Sequence, residues 1–298
     1  MRKNIVLVMA MAYSACAQVI SGTVIVINRT EDQLIVAADS RVTTTQFPSA
    51  PNPPFGAVPS APILSGPVVS PPNDSYCKIA VLKNQVIFTA VGHPDTQGRL
   101  ASVNTFDEAR SAVNETKKTS AGQSHLEEVA NNWCARMKNK WNDVARENLF
   151  EVMDLAKQGD LIGGVFAEAS QGKIYVKAAH VTATVNNTLI PLPNIECSLV
   201  DLQWTGCGQQ DGKQMNIDGH SDVATNFCSE RKSNSKISVR TPLKCANSDT
   251  ELAVQLVELT IDASGSGGDV GGNVDAVTLS KDGRITWNSN PDCPENQD

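Results

Sequence analysis

Four times along this chain two short apolar runs flank a polar segment. Thr23–Ile27 and Leu34–Ala38 flank Thr30–Gln33; Lys78–Leu82 and Val86–Ala90 flank Lys83-Asn84-Gln85. Leu161–Ala169 and Lys173–His180 lie across Ser170-Gln-Gly172, and Val274–Leu279 and Arg284–Trp287 across Lys281-Asp-Gly283. Runs of this length and composition, joined by so few polar residues, read as β-hairpins. Hairpins pair antiparallel, because a parallel pair needs a long crossover. Two helical patterns interrupt them. Ser124-x-x-Glu127 is a capping-box sequence leading into Leu126, Ala130, Trp133, Met137 and Trp141 at helical spacing. Ser248-x-x-Glu251 opens a second pattern with Leu252, Leu256 and Leu259. The predicted order is two hairpins, helix, hairpin, a polar region at 181–247, helix and hairpin. Antiparallel strands with segregated helices argue for an α+β fold, against a doubly wound parallel sheet.

Composition narrows the function. A net charge of −7 and no basic stripe leave nucleic acid without electrostatic support as a partner. No apolar run reaches the length of a membrane-spanning helix. Arg2 and Lys3, the apolar run Ile5–Ala12 and Ala15-Cys16-Ala17 follow the pattern of a secretory signal. This predicts residues 1–17 as a signal and a secreted or periplasmic protein, with no membrane anchor once the signal is removed. Of eight cysteines, seven would remain after that cut, and export makes disulfides between them an expectation, with connectivity open. Residues 47–72 hold nine of the fifteen prolines and read as an extended surface insertion that packs as neither helix nor sheet.

Most of the chemical motifs fail on context. Gly265-Ser-Gly-Gly268 and Gly271-Gly272 follow a helix and precede a strand, the reverse of a phosphate-binding loop, so they read as turn glycines. His93, His125, His180 and His220 lack metal-ligand spacing, and no Gly-x-Ser-x-Gly elbow occurs. No cofactor and no metal are implied. One constellation remains: Asp39 and Arg41 end the first hairpin, Lys78 begins the second and Gly92 follows its end. Taken alone these are a salt-bridged strand end and a surface lysine, and Thr23 is a β-branched residue at a strand start.

The stretches "GTVIVINRTEDQLIVAADSRVT" and "CKIAVLKNQVIFTAVGHPD" resemble the start of a proteasome-type β subunit of the N-terminal-nucleophile hydrolases. Thr23 to Asp39 is sixteen positions and Lys78 to Gly92 is fourteen, both equal to the family spacing; the proline-rich insertion accounts for the longer gap between. "LIGGVFAEASQGKIYVKAA" and "LAVQLVELTIDASGSGG" with "VDAVTLSKDG" are similar to later parts of the family, whereas 181–247 do not align. The resemblance implies a four-layer αββα sandwich, two antiparallel sheets between helical layers, as a single domain over residues 23–290. It implies self-cleavage at Gly22–Thr23, making residues 18–22 a propeptide.

In that family the exposed threonine is the nucleophile and its own α-amino group the base. Thr23, Asp39, Lys78 and Gly92 take the catalytic positions. Arg41 takes a bracing one. Supporting roles fall to Cys207, where the family has serine, and to Asp262 or Asp269 for a late aspartate. The implied activity is cleavage of peptide or other amide bonds, with assembly into a homo-oligomer open. The departures at 207 and in the late loop leave a second reading, a catalytically silent binding or assembly subunit of the same fold.

Overall fold

The computed structural model describes residues 23–41, 45–46, 68–69, 74, 76–92, 95–97, 102–116, 122–147, 149–156, 160–185, 193–202, 204, 214–219, 248–265 and 270–289. The predicted signal, the predicted propeptide, most of the proline-rich insertion and much of 181–247 lie outside these residues. The hairpins build two five-stranded antiparallel sheets. In the first, β1 (Val24–Arg29) pairs with β2 (Gln33–Asp39), and the turn is closed by Thr30 N–H on the Gln33 carbonyl at 2.9 Å. β13 (Val274–Ser280) and β14 (Ile285–Ser289) extend it beyond β2, and β12 (Gln214–Gly219) pairs with β1, giving the order β12-β1-β2-β13-β14.

The second sheet has the order β11-β10-β9-β6-β5. Its strands are β5 (Ile79–Leu82), β6 (Val86–Gly92), β9 (Asp160–Ser170), β10 (Lys173–Val185) and β11 (Pro193–Val200). Lys83 and Asn84 turn β5 into β6 through left-handed backbone, with φ of 47° and 53°. Two short ladders complete the strands: β3 (Thr45–Gln46) with β4 (Val68–Val69), and β7 (Asp95–Gln97) with β8 (Ser102–Asn104). The first of these corrects the expectation that nothing in 47–72 joins a sheet. Val68 and Val69 follow Pro67, so this two-residue stretch carries both its N–H donors.

Four helices are described: α1 (Thr105–Glu115), α2 (Gln123–Glu147), α3 (Leu149–Ala156) and α4 (Asp249–Ser264). The sequence pattern predicts α2 and α4 and misses α1 and α3. α1 carries a cap that could have been read: Asn104 Oδ1 accepts from the N–H groups of Phe106 and Asp107 at 3.1 and 3.0 Å. Ser248 caps α4 as expected, accepting the Glu251 N–H at 3.1 Å. The box predicted at Ser124 does not form. The helix begins at Gln123, the Gly122 carbonyl accepts the Leu126 N–H, and Glu127 faces Lys177 at 3.5 Å instead of turning back to a cap.

Alternation within each strand sorts the apolar residues into three clusters. Leu34, Val36 and Ala38 of β2 meet Ile79, Val81, Ile87, Val165 and Ala167 of the other sheet. Ile35 and Ala37, one residue out of phase, meet Ala253, Leu256 and Val257 of α4. On the second sheet Ala80, Leu82, Phe88 and Phe166 turn to α1, α2 and α3, around the fully buried Trp133 and Trp141. The central strands therefore bury residues on both faces, which is why they read as nearly continuous apolar runs, whereas the edge strands β11 and β14 keep exposed residues. The result is a mixed α+β structure of two antiparallel sheets with helices. No helix among the described residues is long and apolar enough to cross a membrane.

Cys134 of α2 and Cys197 of the edge strand β11 form a disulfide, and Cys77 is also disulfide-bonded. The Cys134–Cys197 link spans 63 positions, so it restricts the unfolded chain considerably. The Cys134→Ala/Cys197→Ala variant is expected to lose about 2–4 kcal/mol of stability. Urea unfolding of variant and wild type under non-reducing conditions measures it.

Candidate active site

Where β2 ends, the apolar alternation stops at a buried carboxylate. Asp39 is 0% exposed, and burying a carboxylate is costly unless its oxygens are bonded and its charge is matched. Three parts of the chain meet that need. Asp39 Oδ1 accepts the Val24 N–H at 2.9 Å and the Lys78 ammonium at 2.9 Å. Asp39 Oδ2 accepts the Gly271 N–H at 3.2 Å. Lys78 enters from the residue before β5 and is 1% exposed. Its carbonyl is fixed by the Thr89 hydroxyl at 2.8 Å. Thr23 precedes Val24 and is itself buried, so one carboxylate oxygen joins the lysine to the residue following Thr23.

Burial pushes the Lys78 ammonium below the ordinary lysine value, while Asp39 and Asp275 pull it back up. Asp275 lies on β13 opposite Ala38, is 0% exposed and acts on Lys78 through its charge. Asp262, one of the two candidates for a late aspartate, is instead exposed on α4. α4 continues to Ser264 and carries Asp262 on an exposed face, whereas Asp275 is the second residue of the returning strand. The signal was a single acid within Val274-Asp-Ala-Val277. Asp269, Cys207 and Gly22 lie outside the described residues.

Arg41 grips Asp74 with Nε at 2.5 Å and Nη2 at 3.1 Å. That contact raises the arginine pKa and holds the Asp74 carboxyl below the usual range. Gly92 ends β6, the strand paired with β5, with φ of 100°. A Cβ there would strike the Leu161 carbonyl at 2.7 Å, so the position is confined to glycine twice over.

The glycine-rich loop also does more than turn the chain. A Cβ at Gly271 would run into the Arg41 guanidinium, and one at Gly272 into the Ser40 hydroxyl. Arg41 N–H donates to the Gly271 carbonyl at 3.0 Å and Ser40 N–H to the Asn273 carbonyl at 3.0 Å. Residues 271–273 thus pack against residues 39–41, and sequence context alone did not reveal this. Among the described residues no three His, Cys, Asp or Glu side chains converge as a metal site requires.

Asp39→Asn would leave a buried lysine without its main counter-charge, an expected loss of about 3–5 kcal/mol in denaturant unfolding. Lys78→Met should cost less, because the carboxylate keeps its two backbone donors. Lys78 also sets a pH dependence. Its folded value is depressed, so the unfolded chain binds the proton more readily, and stability rises with pH between the depressed value and the ordinary 10.5. Wild type should therefore gain stability relative to Lys78→Met as pH rises through that window.

No protein-family model matches the chain. No curated protein matches it either. Among solved structures the chain is similar to Anbu (ancestral beta-subunit) from Yersinia bercovieri, at 14% sequence identity and a TM-score of 0.42, over 91% of this chain and 88% of that one.

Proposed function

We propose that this chain is an exported, proteasome-like hydrolase that uses Thr23 as an N-terminal nucleophile on peptide or other amide bonds. The observation that carries the reading is the Asp39 oxygen shared by the Val24 N–H and the Lys78 ammonium. It places a buried cation within one residue of a threonine that follows glycine, at the spacing of the resembled family. The three apolar clusters support the matching layer order, helices, sheet, sheet, helix, as an αββα sandwich. The Cys134–Cys197 disulfide supports export to an oxidising compartment. Assembly into a homo-oligomer belongs to the same reading.

The chemistry runs in two stages. In self-cleavage the Thr23 hydroxyl oxygen attacks the Gly22 carbonyl carbon and the C–N bond to Thr23 breaks. That shift transfers the hydroxyl proton to the nitrogen and frees the Thr23 amine, and water then hydrolyses the resulting ester, releasing the Gly22 carboxylate and restoring the Thr23 hydroxyl. In turnover that amine takes the hydroxyl proton, the oxygen attacks the substrate carbonyl, and the Gly92 N–H serves the oxyanion. The departing amine leaves an acyl-ester on Thr23, which water hydrolyses. An α-amino group titrates near pH 8 in a model compound, and a cation at Lys78 lowers that value toward neutrality.

N-terminal sequencing and intact mass of the exported protein should find a chain that begins at Thr23. Thr23→Ala should keep the preceding residues and lose roughly 10³-fold or more in turnover. Mature protein that retains residues before Thr23, or Thr23→Ala with wild-type activity, would sink the proposal. Failure of a threonine-reactive electrophile to label a properly exposed Thr23 would place the chain with the silent subunits. The base must be neutral to act, so kcat/KM should rise with pH through the amine titration. Lys78→Met should move that limb to higher pH in a pH–rate profile.

A further inference from the structure

β2 and β5 belong to different sheets, so no strand ladder sets the distance between Asp39 and Lys78. The segments that flank the pair are tied together instead. The Tyr76 N–H donates to the Ser40 carbonyl at 2.9 Å. The Ser40 hydroxyl donates to the Asp74 carbonyl at 2.5 Å and itself accepts the Asn273 N–H at 2.8 Å. Arg41 grips both carboxylate oxygens of Asp74 in a bidentate pair, a geometry that fixes direction as well as distance. Asp74 stands four residues before Lys78, and Ser40 and Arg41 directly follow Asp39. Gly271 and Gly272 leave room for this clasp, since side chains there would displace Arg41 and Ser40.

We propose that Asp74 is a positioning residue for the Asp39–Lys78 pair: through its carboxylate on Arg41 and its carbonyl on Ser40, it holds the segment entering Lys78 against the segment leaving Asp39. The clasp also closes the base of the proline-rich insertion, because that insertion lies between Arg41 and Asp74 in sequence. Asp74 touches no reacting atom and acts only through the pair. The consequence for turnover rests on the hydrolase reading above; the mechanical claim does not. Asp74 is 50% exposed, so salt and solvent weaken the clasp, and its effect is on placement rather than on overall stability.

The test compares wild type, Asp74→Ala, Asp74→Asn and Asp74→Glu by two readouts. The first is reductive methylation of Lys78 followed by peptide mass, with amide exchange of β9 as a control for general unfolding. Lys78 should be protected in wild type and label about 10-fold faster in Asp74→Ala, with β9 exchange unmoved and protection recovered in Asp74→Glu. The second is turnover of a peptide amide: kcat should fall about 10- to 100-fold in Asp74→Ala with KM within about twofold, the signature of a misplaced catalytic group. Asp74→Asn, which keeps shape and loses charge, should lie between. Lys78 protection unchanged in Asp74→Ala overturns the proposal, whether or not the protein is active. So does an unchanged kcat in a protein whose wild type turns over. Faster labelling of Lys78 in Asp74→Ala than in a wild type that shows no turnover would support the positioning role while removing the hydrolase reading.

Discussion

One carboxylate sets the geometry of this molecule's candidate site. Asp39 gathers Val24, Lys78 and Gly271, residues from the first strand, the start of the second sheet and the late glycine loop. Each sheet could form by its own hairpins, but the hairpins alone do not say how the sheets meet at this end. The buried ion pair does. Its desolvation cost is large, and the attraction offsets it only with good geometry and further hydrogen bonds. The two backbone N–H donors provide those bonds, and Asp275 adds a second negative charge toward Lys78.

Much of this was legible in the sequence, and the misses follow a rule. Local patterns are written in adjacent residues, so the four hairpins, the Ser248 cap and the burial of Trp133 and Trp141 could be read directly. The Asp39 and Lys78 positions could be paired only through the spacing of the resembled family, because nothing local says that residues 39 apart in the chain touch. Asp275, Asp74 and Gly271 were missed because their roles exist only in contacts across 33 to 232 positions. The box at Ser124 failed for a different reason. A capping sequence is permissive, and the α2 start is set by Gly122, whose left-handed backbone (φ 74°) and lack of a Cβ let Tyr175 pack against it. α1 and α3 were missed because both are short, at 11 and 8 residues, and α1 marks its buried face largely with the small residues Ala109 and Ala112.

The three apolar clusters and the polar clasp divide the work of specifying the fold. Strand alternation decides which residues face the other sheet and which face a helix, and a one-residue slip would exchange the two sets. That fixes register but tolerates small shifts along the sheet–sheet interface, since apolar contacts are non-directional. The links among Ser40, Arg41, Asp74, Tyr76 and Gly271 are directional. They convert a general stacking of sheets into a defined distance between two side chains.

That distance matters because stability alone gives no reason for a lysine here. A pair of well-packed apolar side chains in place of a buried ion pair is often neutral or stabilising, whereas removing one partner is costly. A design made only for folding would therefore favour the apolar pair at the end of β2. What an apolar pair cannot do is place positive charge near Thr23, where the proposed hydrolase mechanism needs an amine that loses its proton near neutral pH. Charged groups kept in a desolvated place, with their counter-charges arranged around them, are what acid–base chemistry needs. Structural ion pairs share those features, so the distinction rests on what lies next to the pair. Here the shared Asp39 oxygen also holds the residue after Thr23, which ties the pair to the residue that the proposed mechanism uses.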